Sequence, residues 1–274
     1  MKIIKIEGDL AEQMFQYALY CRFRAEGAEV ALDAPRSFID TKLFALGNVV
    51  QATSAQIAAL RGSAVGRIKE ALKLSKSGDK VITDSFGVYS RQAIDATEGY
   101  YRGTWASQRY FEPVADEVAA TFVASAEKLS PEARSVLAEI EQCDAETVAL
   151  HVHKPTSPQN TCTTDYYNWA IANIRTYVPE ARFFVFSTDV ELARQCLLLP
   201  DGSRLVDCSK WGDFDLMQTM LRASHNIGAN TLLSWWAAWL NPNPDKITIV
   251  PARWTPTGTP PDLIPIYWTA IPTT

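Results

Sequence analysis

The residues best suited to chemistry stand at two strand ends in the second half of the sequence. The first group is His151-Val152-His153-Lys154, which completes and follows an apolar run. The second is Asn230-Thr231-Leu232-Leu233-Ser234, which precedes the helical pattern of an apolar segment. An amide, two hydroxyls and the free backbone N–H groups of a helix start suit a phosphate or a sugar. The imidazoles and the ammonium of the first group suit an anion.

A third candidate site is the turn that begins at Gly8, between an apolar strand and a helix. Residues 8–18 read G-D-L-A-E-Q-M-F-Q-Y-A, and the backbone N–H groups of this helix start favour an anion or sugar hydroxyls. Asp9 and Glu12 add two carboxylates, which would repel a diphosphate. We therefore expect Gln13 and the neighbouring turn groups to meet a sugar hydroxyl rather than a phosphate.

Alternating strands and helices are predicted to position these groups. The first half begins with a strand at residues 2–6, a helix from about residue 10 to 25 and a strand at 28–33. From Thr147 onward, strands are predicted at 147–152, 182–187, 204–206, 226–229 and 246–250, with helices at 165–174, 189–197, 214–223 and 232–240. This order predicts a parallel sheet covered on both faces, and ligands bind beyond the carboxyl ends of such strands.

Length and composition exclude several classes of protein. The chain has 274 residues, and its 47% hydrophobic and 21% charged content is typical of a globular protein. A net charge of −5 gives no general attraction to nucleic acid or to an anionic membrane. The five cysteines are scattered and indicate reduced thiols. No run approaches the ~18 residues of a spanning helix, and no signal peptide is recognisable, so we expect a cytoplasmic protein.

The motifs resemble those of glycosyltransferase family 11, the bacterial α-1,2-fucosyltransferases. The first family motif reads roughly G-G-L-G-N-Q-M-F-Q-Y-A, and residues 13–18 match its second half. The later motif reads roughly H-N-I-x-A-N-S-[ST]-F-S-W-W-x-A-W-L-N and matches most of residues 225–241. Similar strings at residues 100–111 and 163–171 extend the resemblance over most of the chain.

The resemblance implies an α/β, GT-B-like fold of two Rossmann-type lobes with parallel sheets. We expect an N-terminal lobe at residues 1–145 on the acceptor side and a C-terminal lobe at 146–254 on the donor side. Residues 255–274 are expected to form a Pro-rich C-terminal tail. The resemblance also implies that Asn230, Thr231 and Ser234 contact the nucleotide-sugar donor, and that Gln13, Asp9 and Glu12 face the acceptor or the cleft.

One family motif is changed in this chain. The motif H-x-R-R-G-D-Y becomes His151-Val152-His153-Lys154-Pro155-Thr156-Ser157, so both arginines and the aspartate are replaced. The resemblance implies that those arginines neutralise the diphosphate of the leaving group, a task suited to a fixed bidentate charge. His153 and Lys154 are the candidates for that role here, and His151 is a further donor contact. The general base is unassigned, and Asp9 and Glu12 are its nearest substitutes.

Two other patterns have structural alternatives. Asp189 follows a strand and is a candidate contact to the nucleoside, but a cap at the start of the next helix explains this segment equally well. Asp213-Phe214-Asp215 is a DxD pattern of the kind that holds a divalent cation, although aspartates are also favoured at helix starts. Because the resemblance implies a metal-independent family, we expect no metal and no cofactor apart from the donor substrate.

The implied reaction is an inverting transfer of L-fucose from GDP-fucose to the 2-hydroxyl of a galactose-type residue in a bacterial glycan. The changed motif leaves alternatives: a slower or altered fucosyltransferase, a transferase with another nucleotide-sugar donor, or a non-catalytic relative that binds a glycan or nucleotide. The expected partners are a nucleotide sugar and an oligosaccharide or lipid-linked glycan, with no nucleic acid. A lipid-linked acceptor would allow peripheral contact at the inner face of the membrane.

Overall fold

The protein divides into two compact units. A computed structural model describes residues 1–35, 38–39, 43–61, 80–153 and 162–273. The first unit comprises Met1–Phe122 with Pro261–Leu263, and the second comprises Val123–Pro260 with Ile264–Thr274. Each unit contains one parallel sheet, which confirms the predicted α/β, GT-B-like organisation.

The sheet of the first unit has four parallel strands. They are β1 (Lys2–Lys5), β2 (Val30–Asp33), β3 (Val81–Thr83) and β4 (Gly99–Arg102), in the spatial order β2-β1-β4-β3. In the described part of this unit the α-helices are α1 (Leu10–Ala25), α2 (Ser54–Arg61), α3 (Arg91–Asp95) and α4 (Ala115–Phe122). Because all four strands run the same way, their carboxyl ends lie at one edge of the sheet.

Helix α1 begins and ends with local signals that the sequence carries. Asp9 is the N-cap, and its side chain and that of Glu12 accept each other's backbone N–H groups in a capping box. At the other end Gly27 has a φ of +74°, and its N–H donates to Arg24 O. Ala28 N donates to the carbonyl oxygen of the third helical residue from the end, which completes a Schellman motif. Glycine at this position is therefore required by the backbone.

The second unit has a six-stranded parallel sheet. Its strands are β5 (Thr147–Val152), β6 (Arg182–Ser187), β7 (Arg204–Asp207), β8 (His225–Ile227), β9 (Thr248–Pro251) and β10 (Thr269–Ile271), in the order β10-β9-β8-β5-β6-β7. Its helices are α5 (Pro131–Glu141), α6 (Thr164–Arg175), α7 (Val190–Cys196), α8 (Asp213–Met220) and α9 (Leu232–Leu240). The bounds of β5, β6 and α9 agree with the sequence prediction.

The division between the units differs from the boundary expected near residue 145. Helix α5 and the segment that precedes it belong to the second unit, and hydrogen bonds attach them to α8. Ser130 N donates to Asp215 Oδ1 at 3.1 Å, and Ala124 N donates to Gln218 Oε1 at 2.9 Å. The division therefore falls after Phe122.

The residues after 254 do not form a separate tail. Strand β10 pairs in parallel with β9 and enlarges the sheet of the second unit. Pro261–Leu263 instead belong to the first unit, where Asp262 N donates to Gly87 O at 3.0 Å. The prolines of this stretch thus separate short anchored pieces.

Asp262 is expected to stabilise the first unit. Its Oδ2 accepts from Tyr89 N at 2.9 Å, and its Oδ1 lies 2.5 Å from Arg109 Nη1. Asp262→Ala removes both interactions and should cost about 2 kcal/mol, whereas Asp262→Asn keeps an acceptor for Tyr89 N and should cost about half as much. Urea unfolding of the three proteins measures these losses. Equal stability of all three would contradict the assignment.

Candidate active site

The two sequence groups meet where the strand order of the second unit reverses. From β5 the chain continues to β6 and β7 on one side, and then crosses to β8 and β9 on the other. Leu150 of β5 pairs with Ile227 of β8, so His151 and Gly228 follow neighbouring paired positions. Open α/β sheets bind ligands outside the carboxyl ends of their strands at such a switch point. The candidate residues are therefore brought together at the expected edge.

Ser234 links the two groups through its hydroxyl. His151 Nδ1 lies 2.6 Å from Ser234 Oγ. The same oxygen accepts from Ala229 N at 3.2 Å and from Thr231 Oγ1 at 3.0 Å. Thr231 is the N-cap of α9, and its Oγ1 accepts from Ser234 N at 3.2 Å. Three of the predicted donor contacts, His151, Thr231 and Ser234, thus form one hydrogen-bonded network.

The histidines of this site are held neutral by their surroundings. Burial lowers the pKa of His151 to about 3, with a smaller contribution from His153. The two rings lie 6.1 Å apart between centroids, and burial also lowers the pKa of His153. Burial therefore opposes the positive charge that His153 would need to neutralise a diphosphate. Lys154, the other candidate for that role, lies outside the described residues.

Asn230 shapes the turn after β8. Its Nδ2 donates to Trp254 O at 3.2 Å, and its Oδ1 accepts from Cys162 Sγ at 3.3 Å. Its backbone N–H also points to that sulfur, at 3.3 Å. The amide is thus bonded within the protein at both ends, and its predicted contact with a donor stays a prediction.

The start of helix α9 offers two further hydrogen-bond donors. The backbone N–H groups of Leu232 and Leu233 make no hydrogen bond with any residue that the structure describes. Both residues are half-buried. First-turn N–H groups at the positive end of a helix dipole favour an anion, so this helix start can receive a phosphate oxygen.

A pair of tyrosines from α6 positions both strand ends. Tyr166 Oη donates to Gly228 O at 2.5 Å, and His153 N donates to Tyr167 Oη at 3.2 Å. Burial raises the pKa of both phenols well above their ordinary value, so both stay protonated. The string at residues 163–171 therefore contributes two tyrosines that hold the ends of β5 and β8 in place.

Asp189 is the N-cap of α7. Its Oδ1 accepts from Leu192 N at 3.0 Å, and its own N–H donates to Ser187 Oγ at 3.0 Å. The structural alternative considered for this segment is thus present, with Asp189 itself as the cap. A contact between Asp189 and a nucleoside stays a prediction.

A cavity beside β7 adds residues that the sequence analysis missed. It measures about 790 Å³ and is lined by side chains that include Arg194, Lys210 and Trp211. Trp211 contacts the ring of Phe186, which is paired with His151 across β5 and β6. The cavity therefore lies along the strand edge that carries His151. Its lining comes from α5, α7, α8, β7 and the turn after β7, and no short motif could reveal that set.

The acidic residues of the first unit serve the start of α1. Asp9 Oδ1 accepts from Glu12 N at 3.0 Å, and Glu12 Oε2 accepts from Asp9 N at 3.1 Å. Gln13 Nε2 donates to Gly8 O at 2.8 Å, while its Oε1 accepts from Ile39 N at 2.9 Å. These bonds account for the string structurally. The predicted roles toward an acceptor, or as a base, stay predictions.

The DxD pattern also lies at a helix start. Asp213 and Asp215 stand in the first turn of α8, and Asp215 accepts from Ser130 N. Within the described ranges, no group of three or more His, Cys, Asp or Glu side chains is arranged to hold a metal ion. None of the helices in those ranges is both long and apolar enough to span a membrane.

The parallel sheet with a polar switch-point site is an architecture of nucleotide-binding α/β proteins. The family described as Glycosyl transferase family 11 matches residues 95–259, which include both strand ends of the candidate site. The chain belongs to glycosyl transferase family 11. This assignment confirms the family that the motifs indicated.

Two relatives from Escherichia coli are similar to the chain. The O-antigen biosynthesis glycosyltransferase WbnK is 32% identical over 121 residues, which are 40% of this chain and 40% of that relative. The match thus spans less than half of WbnK. The alpha-1,2-colitosyltransferase is 24% identical, over 92% of this chain and 91% of the relative.

Solved structures of other glycosyltransferases are more distant. The E. coli heptosyltransferase WaaC with ADP is 13% identical, covers 93% of this chain and 88% of its own, and has a TM-score of 0.42. A glycosyl transferase family 9 structure from Veillonella parvula is 10% identical, covers 98% and 85%, and has a TM-score of 0.49. Likeness at this level is too low to carry over a site or an activity.

Acid is expected to destabilise the protein through His151. Its pKa of about 3 lies below the ordinary 6.5, so the unfolded chain takes up the proton first as the pH falls. The folded protein loses no stability through His151 above pH 6.5. Its free energy of unfolding then falls as the pH decreases toward 3, by about 2 kcal/mol at pH 5. Urea unfolding at pH 7 and pH 5 measures this loss. His151→Asn, which keeps an acceptor for Ser234, should lose less; equal losses in both proteins would contradict the assignment.

Asp9 provides a second test, of structure against catalysis. Asp9→Ala should lower the stability by about 1 kcal/mol because the N-cap acceptor is lost, while Asp9→Asn should retain it because asparagine caps equally well. Thermal unfolding distinguishes these outcomes. If Asp9→Asn is as unstable as Asp9→Ala, the capping role is refuted. Loss of transfer in a stable Asp9→Asn protein would instead support the carboxylate as a base.

Proposed function

We propose that the chain is an inverting transferase that moves L-fucose from GDP-fucose to the 2-hydroxyl of a galactose-type residue. The observation that carries this proposal is the network of His151, Ser234 and Thr231 at the switch point of the second unit. That network lies within the family match at residues 95–259. The proposed acceptor is a bacterial O-antigen-type glycan, since the relative WbnK is described as an O-antigen biosynthesis glycosyltransferase.

The donor is proposed to lie along the carboxyl edge of the second sheet. Its diphosphate would meet the free N–H groups of Leu232 and Leu233 at the start of α9. Its nucleoside would occupy the 790 Å³ cavity beside β7, where Trp211 offers an aromatic face and Arg194 and Lys210 offer positive charge. A nucleoside fits such a cavity, because ligand pockets of this size combine apolar walls with a few polar groups.

The chemistry asks for stabilisation of the leaving nucleoside diphosphate. As the glycosyl bond breaks, negative charge grows on the diphosphate, and fixed N–H donors lower the energy of that state. The described site offers helix N–H groups and neutral imidazoles in place of two arginines. Neutral donors form weaker hydrogen bonds to an anion than guanidinium does, so we propose a slower transfer step than an arginine pair would give.

A second candidate donor is GDP-colitose, in which the sugar lacks the 3-hydroxyl of fucose. The relative that matches 92% of this chain is described as an alpha-1,2-colitosyltransferase. Leu232 and Leu233 also place two apolar side chains, both half-buried, beside the helix N–H groups. A sugar with one hydroxyl fewer leaves fewer polar groups unpaired against such a surface.

The remaining parts of the proposal concern partners and location. The acceptor is proposed to be an oligosaccharide or a lipid-linked glycan, and the protein is proposed to act in the cytoplasm, with peripheral contact at the membrane. No metal is required in this proposal, because the helix start and the imidazoles supply the donors to the diphosphate. The non-catalytic alternative shares the nucleotide site and lacks only turnover.

Calorimetric titration with GDP, GDP-fucose, GDP-colitose, GDP-mannose and UDP-galactose tests the donor assignment. We expect GDP and one of the two deoxy-sugar donors to bind, with weak or absent binding of UDP-galactose. Transfer to galactosides and donor hydrolysis are followed on the same preparations. Failure of GDP to bind would overturn the proposal, and binding without turnover on any galactoside would favour the non-catalytic relative.

A further inference from the structure

The Ser234 hydroxyl has one proton and two lone pairs, and its neighbours account for all three. Ala229 N–H donates to Oγ at 3.2 Å, and Thr231 Oγ1 donates to it at 3.0 Å. Both lone pairs are then occupied. The remaining neighbour is His151 Nδ1 at 2.6 Å, so the Ser234 proton must be donated to that nitrogen.

The structure gives the direction of the Thr231 bond, in which Thr231 Oγ1 donates to Ser234 Oγ. Thr231 Oγ1 accepts from Ser234 N at 3.2 Å, as the N-cap of α9. Its own proton is directed to Ser234 Oγ. A protonated Nδ1 on His151 would add a third donor to a single hydroxyl oxygen, which has no lone pair left for it.

A nitrogen that accepts a hydrogen bond carries no proton, so the neutral imidazole of His151 must carry its proton on Nε2. This second nitrogen makes no hydrogen bond with the described residues. His225 differs: its Nδ1 accepts from Ile247 N at 3.0 Å, and its Nε2 lies 3.3 Å from Glu146 Oε1. Nε2 of His225 therefore has a protein group beside it, whereas the Nε2–H of His151 is available as a hydrogen-bond donor.

We propose that Ser234 is a positioning residue that holds His151 as the Nε2–H tautomer, and that this N–H donates to an anionic oxygen of a nucleoside diphosphate. The inference rests on the proposed function for its ligand but not for its tautomer. It also reassigns Ser234. A hydroxyl with all three positions occupied inside the protein acts on the donor through His151 and does not contact it.

Nitrogen-15 NMR of the histidine-labelled protein tests the tautomer without any ligand. At pH 7 we expect the His151 signals of a neutral ring with protonated Nε2 and unprotonated Nδ1. In Ser234→Ala the Nδ1 signal should shift, because its hydrogen-bond donor is lost. A proton on Nδ1, or a doubly protonated ring, in the unsubstituted protein would overturn the proposal.

Titration with GDP tests the consequence. Ser234→Ala should bind GDP about tenfold more weakly, the effect of losing one oriented hydrogen bond. The matched control is Ser224→Ala, which removes a half-buried hydroxyl that accepts from Thr147 N at 3.0 Å near the opposite edge of the same sheet. This control should change neither the GDP affinity nor the His151 signals.

The outcomes separate the two proposals. Equal GDP affinity in Ser234→Ala and the unsubstituted protein would overturn the positioning role. A similar loss in Ser224→Ala would also overturn it, since the effect would then reflect general loosening. If the unsubstituted protein shows the expected tautomer and binds no GDP, the proposed function and the ligand assigned to Nε2–H both fail, while the tautomer assignment stands.

Discussion

The candidate site depends on one short hydrogen bond, between Ser234 at the start of α9 and His151 at the end of β5. The sheet pairs β5 with β8 but does not include the start of α9, and this bond connects that helix start to the end of β5. The bond is buried, and a buried polar pair in a medium of low dielectric constant is costly to break. Around it the N-cap Thr231 is bonded to Ser234, and the tyrosines of α6 are bonded to the residues that follow β5 and β8.

The electrostatic character of the site follows from burial. Burial opposes protonation of His151 and of His153. The described strand ends and helix start therefore offer a ligand neutral dipoles, from imidazole and backbone N–H groups, and no full charges. Dipoles that are already oriented need no rearrangement when charge develops, and this offsets part of their weakness relative to arginine. The charged groups Arg194 and Lys210 line the cavity beside β7, which is the place proposed for the nucleoside.

Much of the second unit was predictable because its signals are local. Strands β5 and β6 are continuous apolar runs, and α9 begins at a hydroxyl cap, so their bounds agree with the sequence. Strand β3 has only three residues and is largely exposed, which leaves no apolar run to detect. Strand β10 stands among prolines, and its parallel pairing with β9 depends on contacts that a linear pattern does not carry.

The sequence could predict which residues form the candidate site, but not which hydrogen bonds they make. The sequence indicated that His151, Thr231 and Ser234 belong to one site, because parallel strands end at a common edge. It could not indicate that the Ser234 hydroxyl would be fully occupied by protein groups, or that the Asn230 amide would be bonded within the protein at both ends. Those outcomes depend on distances of a few tenths of an ångström, which only the folded backbone sets.

The return of Pro261–Leu263 to the first unit has a consequence for synthesis on the ribosome. Tyr89 and Arg109 are translated before the second unit, whereas Asp262, to which both are bonded, follows its main segment Val123–Pro260. During synthesis, domains generally fold as units, and the N-terminal domain folds first. The first unit therefore gains its contacts with Asp262 only after most of the second unit has been translated.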